Sequence, residues 1–143
     1  MKIYLAGPIS GKEYEAVAEF FTTKIERLRV AGYTVLNPML GKDDLRNETE
    51  LRGYGYKGPT TTNHAIFERD RWMVEQSDVV FADLSCTERV SIGTMFELAW
   101  ASLLGKHTVA VVDSRHWHAF VLEAADVIFD CVDDAMEYLE ALA

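Results

Sequence analysis

The sequence predicts a single α/β domain built on a five-stranded parallel sheet with helices on both faces. Two observations predict this class: five short apolar runs rich in β-branched residues, and segments between them whose apolar residues recur with the period of a helix. The runs cover residues 2–6, 33–36, 79–83, 108–112 and 127–130. We expect each strand to be buried on both faces, because right-handed crossovers place helices on both sides of a parallel sheet.

Segments of helical periodicity lie between the strands and after the last one. Their apolar stripes comprise Val17, Phe21, Ile25 and Leu28; Ile66 and Met73; and Ile92, Met95 or Phe96, Ala99 and Leu103. The last helix is expected over about residues 132–142, where Asp133 and Asp134 suit the positive end of a helix. Because the composition nowhere changes abruptly, we expect one domain over residues 1–143.

A long segment, residues 39–63, interrupts this alternation. It contains four glycines, Pro59 and three consecutive threonines. Segments of this length in compact domains are usually lids, binding loops or disordered, and the sequence leaves these alternatives open.

Charge and cysteine usage exclude several classes of partner. Asp and Glu outnumber Lys and Arg by 23 to 14, a net charge of −9 that disfavours binding to a nucleic-acid polymer. The apolar N-terminus meets Gly7-Pro8 too early for a signal peptide, and no run is long enough to span a membrane. Cys86 and Cys131 lack CxxC spacing, so we expect reduced thiols in a cytoplasmic protein. The histidines show no metal-binding spacing, and no metal site is expected.

In an open parallel sheet, ligands bind beyond the carboxyl ends of the strands. The first such place is the turn Gly7-Pro8-Ile9-Ser10-Gly11, whose glycines would let the backbone approach a ligand closely. The same pattern is equally typical of a turn that needs Gly7 and Gly11 only for their dihedral angles.

The second place follows the third strand. Ser91 is a candidate N-cap, which puts Gly93 and Thr94 in the first turn of a helix and Glu97 in the second, where an anion or a sugar hydroxyl is readily received. The sequence neighbours of Glu97 are mostly apolar, and a carboxylate among apolar residues is costly unless it has a partner. The alternative is that Glu97 faces solvent.

The third place is the charged run Glu68-Arg69-Asp70-Arg71 before the third strand. Arg69 and Asp70 form a solvated face with i,i+4 pairs, or, if the helix borders the cleft, Asp70 supplies a proton or a hydrogen bond to a ligand. The chain has no GxGxxG after its first strand, no P-loop motif and no GxSxG, so dinucleotide-binding, P-loop and α/β-hydrolase classes are excluded.

Together these segments resemble the nucleoside 2-deoxyribosyltransferase family over most of the chain. The resemblance rests on Ile3-Tyr4-Leu5-Ala6-Gly7-Pro8-Ile9, on Arg69-Asp70 eight residues before Asp78, and on Ser91-x-Gly93-Thr94-x-x-Glu97-Leu98-x-x-Ala101 followed by Gly105-Lys106. The last block is the most specific. The resemblance implies a flavodoxin-like fold, and no cofactor is expected.

The resemblance also implies a role for each matching residue. Glu97 would attack the anomeric carbon of a nucleoside, expel the base and form a glycosyl ester, which a second base or water resolves. We expect Glu97 to be ionised at neutral pH, favoured by the helix N-terminus and a hydrogen bond from Tyr4, and Asp70 to protonate the leaving base. The sugar and its 5′ substituent would be lined by Gly7, Pro8, Ile9, Ser91, Gly93 and Thr94.

Two departures from the family pattern bear on the substrate. Members acting on free nucleosides often carry an aspartate at the position of Ser91, whereas relatives that hydrolyse nucleoside 5′-monophosphates carry a serine able to donate to a phosphate oxygen. The asparagine that a neighbouring subunit supplies in the transferases has no counterpart among Asn37, Asn47 and Asn63, and His118 is the candidate for that role. Both departures favour a nucleotide.

These observations lead to three hypotheses about the function of the protein. The leading hypothesis is transfer of 2-deoxyribose between nucleobases through Glu97. The second is hydrolysis of a nucleoside 5′-monophosphate to base and sugar phosphate, and the third is a nucleotide-binding module without turnover. The sequence leaves purine or pyrimidine preference, and deoxyribose or ribose, open.

The expected partners are a small nucleoside or nucleotide, a free nucleobase and further copies of the chain. The family assembles its sites across subunit interfaces, and the aromatic residues Phe67, Trp72, Trp100 and Trp117 offer apolar surface for a homodimer or higher oligomer. Alternatively, all four belong to the core. The segment 39–63 would cover the base, with Tyr54 and Tyr56 available to stack on it.

Overall fold

The computed structural model describes residues 1–85 and 88–143. Within them, five parallel strands form one sheet in the order β2-β1-β3-β4-β5. The strands are β1 (Lys2–Ala6), β2 (Thr34–Leu36), β3 (Val79–Asp83), β4 (His107–Val111) and β5 (Val127–Phe129). The helices are α1 (Tyr14–Val30), α2 (Asn63–Gln76), α3 (Ile92–Leu103), α4 (Ala119–Ala124) and α5 (Val132–Leu142). This is the predicted α/β class with flavodoxin-like strand order.

Alternation along the strands divides the core into two halves. Ile3 and Leu5 of β1 lie in the half that contains α1 and α5, whereas Tyr4 and Ala6 lie in the half that contains α2, α3 and α4. Successive side chains of a strand point to opposite faces, so each central strand supplies both halves. The phenol of Tyr4 is thereby directed toward α2 and α3.

The edge strands differ from the prediction that every strand is buried on both faces. Thr34 of β2 is exposed, and all three residues of β5 are only half-buried. An edge strand has a neighbour on one side only, so the helices cover it incompletely. After β4, the region predicted as a loop contains a 3-10 turn (Ser114–His116) and the helix α4, which is too short to show a period in the sequence.

α3 buries the face opposite to the predicted one. Its buried residues are Thr94, Glu97, Leu98 and Ala101, whereas Ile92 and Leu103 of the predicted stripe are 75% and 85% exposed. Apolar residues surround this helix on most sides, so their period does not single out one face. The face that packs on the sheet is the one that carries Glu97.

Residues 37–62 form a packed loop rather than an independent lid. Leu45 and Leu51 are buried against the half of the core that contains α1. Backbone hydrogen bonds of 2.7 Å join Gly11 N to Leu51 O and Leu51 N to Lys12 O. Leu51 therefore fixes the loop to the turn that follows β1. Among the helices of residues 1–85 and 88–143, none has both the length and the apolar character of a membrane span.

Candidate active site

The centre of the site joins β1 to α3. The Tyr4 side chain is fully buried, and its hydroxyl donates a 2.6 Å hydrogen bond to Oε1 of Glu97, which is 5% exposed. α3 begins as predicted, with Ser91 as N-cap accepting a 3.3 Å hydrogen bond from Thr94 N. Glu97 therefore points inward, and the alternative of a solvent-facing glutamate is wrong.

Asp70 and two cationic side chains complete the charged centre. Asp70 is 8% exposed, and Nε of Arg69 lies 3.7 Å from its Oδ1. Arg69 also donates from Nη1 to the carbonyl oxygen of Thr60 at 2.6 Å, which ties α2 to the loop. Lys42, in that loop, is 5% exposed. The sequence analysis missed Lys42, because one lysine in a glycine-containing loop carries no periodic or motif signal.

The charged run of α2 is divided between a solvated face and a buried face, and Arg69 and Asp70 do not lie on the solvated one. Arg71 donates to Glu68 at 2.7 Å and lies 3.9 Å from Glu75, all on partly exposed side chains. Asp70 instead shares the buried face of α2 with Met73 and Val74. The prediction of a solvated face for Arg69 and Asp70 is therefore wrong, and the role of Asp70 toward a ligand stays a prediction.

Burial governs the protonation of the two carboxyl groups. It raises the pKa of Glu97 to about 8, reinforced by the negative charge of Asp70 and opposed by the Tyr4 hydrogen bond and by Lys42. Burial also raises the pKa of Asp70 to about 6, against the charges of Lys42 and Arg69. The pKa of Lys42 is lowered by burial, and that of Tyr4 is raised well above its usual range by burial and by Glu97.

The expectation that Glu97 is ionised at neutral pH is therefore wrong for the unliganded site. The helix terminus and the Tyr4 phenol do not offset the loss of hydration on burial. Between pH about 6 and about 8 the two carboxyl groups hold one proton, and that proton belongs to Glu97.

The turn after β1 requires its two glycines for different reasons. Gly11 has φ +81°, so the dihedral explanation applies to it. Gly7 has no positive φ, but a Cβ there would lie 2.8 Å from Cε1 of Phe20 in α1, so a side chain at this position requires the Phe20 ring to move. Gly7 and Pro8 are buried, and Ile9 is half-buried.

The N-terminus of α3 offers a hydroxyl group and open space. Ser91 Oγ lies 2.8 Å from Thr94 Oγ1, so Ser91 is able to accept from Thr94 and keep its own proton for a ligand. Apart from its chain neighbours and the backbone of α3, no atom of the described residues lies within 4 Å of a would-be Cβ at Gly93.

The remaining predicted groups lie elsewhere. His118 is exposed, caps α4 by accepting at Nδ1 from Phe120 N at 3.2 Å, and stacks edge-on with the Phe120 ring. Cys131 is an exposed free thiol, whereas Cys86 lies outside the described residues. Residues 1–85 and 88–143 contain no group of three or more His, Cys, Asp or Glu side chains that would hold a metal ion.

This parallel α/β sheet buries a phenol, two carboxyl groups and two cations beside its central strands. Such a site is typical of an enzyme that uses acid–base and nucleophilic chemistry. The profile of the family described as nucleoside 2-deoxyribosyltransferase matches residues 3–136, and the chain belongs to that family.

Individual relatives have both transferase and hydrolase names. A Thermofilum pendens protein, named as a candidate 2′-deoxynucleoside 5′-phosphate N-hydrolase, is 30% identical over 154 residues, which cover 99% of this chain and 94% of the relative. The 2-deoxyribosyltransferase of Bacillus psychrosaccharolyticus superimposes with a TM-score of 0.68 at 19% identity, over 96% of this chain and 92% of that one. The CMP N-glycosidase of Clostridium botulinum gives a TM-score of 0.62 at 17% identity over the full length of both chains.

These structures confirm the flavodoxin-like fold. The family comprises N-glycosyl transferases and N-hydrolases, so this chain is an enzyme of that group, with nucleosides or nucleotides and their bases as substrates.

Proposed function

We propose that this protein transfers the 2-deoxyribosyl group of a nucleoside from one nucleobase to another through a covalent ester on Glu97. The observation that carries the proposal is the 2.6 Å hydrogen bond from the buried Tyr4 hydroxyl to Glu97 Oε1. It fixes the carboxyl group and leaves Oε2 without a hydrogen bond to the described residues. Oε2 is thus the oxygen available for attack.

In the first half of the reaction, a lone pair of ionised Glu97 forms the bond to C1′ as the C1′–N bond breaks. The electron pair leaves with the base nitrogen, and a proton from Asp70 gives the neutral base. In the second half, the nitrogen of an incoming base attacks C1′, the ester bond breaks, and the proton returns to Asp70. The sugar keeps its configuration, as in a retaining glycosidase.

The single proton of the carboxyl pair must move before the first step. In the unliganded site Glu97, with a pKa of about 8, holds it, while Asp70, with a pKa of about 6, is ionised at pH 7. The positive charge that develops on the sugar beside Glu97 favours the ionised carboxylate. The reactive form is the one in which Asp70 holds the proton, and the charge that develops as the C1′–N bond breaks favours that form over the one in which Glu97 is protonated.

The burial of the site favours a base over water as the acceptor. Tyr4 is fully buried and Glu97 nearly so, which limits the access of solvent to the ester. The same burial argues against a binding module without turnover, since two buried carboxyl groups destabilise the fold and binding alone does not require them.

Hydrolysis of a nucleoside 5′-monophosphate is the second candidate function. The Ser91 hydroxyl at the start of α3 favours it, because backbone N–H groups and a hydroxyl at a helix N-terminus suit a phosphate group. The N-hydrolase name of the Thermofilum pendens relative also favours it. In that case water, rather than a base, attacks the same ester.

We also propose that the protein forms a homo-oligomer through an aromatic surface, defined here as Phe67, Trp72, Phe96 and Trp100. Three of the four aromatic residues named from the sequence, Phe67, Trp72 and Trp117, are between 43% and 61% exposed, so the alternative that all four belong to the core is wrong. Phe96 is 50% exposed. The rings of Phe67, Phe96 and Trp100 pack edge to face with centroids 5.1 to 6.2 Å apart. Contiguous exposed apolar surface of this kind marks interaction sites, and His118 is proposed to reach the neighbouring subunit's site.

One product assay tests the proposal. The protein is incubated with deoxyinosine, deoxyuridine and their 5′-monophosphates, each with and without free adenine, and the products are separated by chromatography. Deoxyadenosine that forms only with adenine supports transfer, and free base released from a monophosphate alone supports hydrolysis. Glu97→Ala must abolish either product, with Glu75→Ala on the solvated face of α2 as the matched control. Base exchange by Glu97→Ala at the parent rate contradicts the nucleophile.

A further inference from the structure

We propose that Lys42 and Arg69 bind carbonyl oxygens of the nucleobase, and that the site thereby selects oxo bases such as uracil and hypoxanthine over the amino bases cytosine and adenine. The inference deepens the proposed function and rests on it for the identity of the ligand as a nucleobase. It assigns a recognition role to Lys42.

The first observation is a set of buried polar atoms without hydrogen bonds. Nε and Nη2 of Arg69 and Oδ1 of Asp70 are buried and make no hydrogen bond within residues 1–85 and 88–143. Nε and Oδ1 face each other as an ion pair at 3.7 Å, which is too long for a hydrogen bond. Leaving buried donors and an acceptor unpaired destabilises a fold, so each such group requires an explanation. A ligand that pairs with all three provides one.

The second observation is the burial of Lys42. Its side chain is 5% exposed, yet no hydrogen bond or ion pair holds its ammonium group within the described residues. A buried ammonium is costly unless it is paired, and three N–H donors of this group are available for a ligand.

The third observation is that Lys42 and Arg69 are held next to each other. Lys42 N donates to Met39 O at 3.1 Å, which fixes the local turn. The preceding Gly41 has φ +76°, and a Cβ there would lie 2.7 Å from Arg69 Nη1. Since Nη1 also donates to Thr60 O at 2.6 Å, the loop and the guanidinium group form one rigid unit.

These groups match one class of base. The cations offer donors for a carbonyl oxygen, and Asp70 Oδ1 offers an acceptor for a ring N–H. Uracil and hypoxanthine present a carbonyl oxygen beside a ring N–H. At the positions that distinguish each pair, C4 of the pyrimidines and C6 of the purines, cytosine and adenine instead present an amino group beside a bare ring nitrogen, which would place N–H groups against the cations.

Binding of free bases, measured by calorimetry, tests the inference. Uracil is compared with cytosine, and hypoxanthine with adenine, because each pair differs in the carbonyl or amino group at one ring position. We expect the parent protein to bind the oxo base at least about tenfold more tightly in each pair. Lys42→Met should reduce that ratio severalfold, because only Arg69 and Asp70 then discriminate, Lys42→Arg should largely retain it, and Lys57→Met, an exposed lysine of the same loop, should leave it unchanged.

Equal affinity of the parent protein for the two bases of a pair overturns the inference, as does an undiminished ratio in Lys42→Met. The parent ratio is decisive even if Lys42→Met does not fold. Binding of a free base requires no turnover, so failure of the proposed function, read from Glu97→Ala in the product assay, is distinct from failure of this inference.

Discussion

Tyr4 and Glu97 are 93 positions apart in the chain, yet a 2.6 Å hydrogen bond joins the phenol of one to the carboxyl group of the other in the buried centre of the fold. β1 supplies the donor and α3 the acceptor, so the bond depends on α3 packing through the face that carries Glu97. It is also the interaction that most opposes the effect of burial and of Asp70 on the pKa of Glu97.

Tyr4→Phe should therefore raise the pKa of Glu97 further. We expect kcat at pH 7 to fall by about 10- to 100-fold, because the form with an ionised Glu97 and a protonated Asp70 becomes rarer, and we expect the loss of activity at high pH to move to a higher pH. The measurement is kcat between pH 5 and 9. Tyr33→Phe is the matched control, since Tyr33 is a buried tyrosine whose hydroxyl donates to Leu139 O at 2.7 Å in the other half of the core. An unchanged pH profile in Tyr4→Phe would remove the hydrogen bond from the mechanism.

The pH dependence of the parent enzyme should be bell-shaped, with limbs near about 6 and about 8. Below the first value both carboxyl groups are protonated and no nucleophile remains, and above the second neither holds the proton for the base. Asp70→Asn should lower the maximal rate by about 10²- to 10⁴-fold and abolish the descending limb. A descending limb that survives in Asp70→Asn assigns the acid to another residue.

Glu97→Gln should stabilise the protein in a pH-dependent manner. The folded-state pKa of Glu97 is raised from 4.5 to about 8, so the parent loses stability as pH rises between these values, where the unfolded chain has released the proton and the folded chain retains it. At pH 7.5 the variant should gain about 4 kcal/mol, about 10 to 15 °C in Tm. At pH 4 the two proteins should melt together, and Glu75→Gln should match the parent at both pH values. An equal gain at pH 4 and pH 7.5 would refute this linkage.

Gly93→Ala should change the stability of the fold and the binding of the ligand in opposite directions. Gly93 has no positive φ and lies in the first turn of α3 with open space beside it, so alanine should stabilise the helix by about 0.5 to 1 kcal/mol. The added methyl group would occupy space proposed for the sugar and its 5′ substituent, and KM should rise. Thermal melting and steady-state kinetics measure the two effects. Ser102→Ala, at the other end of α3, is the control and should leave KM unchanged. An unchanged KM in Gly93→Ala would mean that the ligand does not bind beside Gly93.

Phe96→Asp should disrupt the proposed homo-oligomer. Phe96 is 50% exposed, so a carboxylate there is tolerated in the monomer but is costly in an apolar interface. Sedimentation velocity should show a smaller species than for the parent. Val30→Asp, at a 91% exposed position on α1, is the control. Parent-like sedimentation of Phe96→Asp would exclude the aromatic surface as the interface.

Local patterns predict the sheet well. The sequence predicts β1 and β3 with their observed bounds, because both are short β-branched runs between charged or glycine-containing segments. It also predicts Ser91 as the start of α3, since an N-cap depends on the residues that follow it directly.

The pairing of distant residues is harder to predict. The buried face of α3 depends on how the sheet receives the helix, and its apolar residues fit either face. Lys42 is buried by the fold of residues 37–62 and by α2. No motif or periodic pattern in the residues next to Lys42 indicates this burial.

The alternation of β1 has one more consequence, for the engineering of this enzyme. Tyr4 faces one half of the core while Ile3 and Leu5 face the other, so inserting or deleting a residue within the strand would exchange the two surfaces and turn the phenol away from Glu97. Laboratory selection for new base preferences can therefore substitute single side chains in residues 37–62. It cannot change the length of β1.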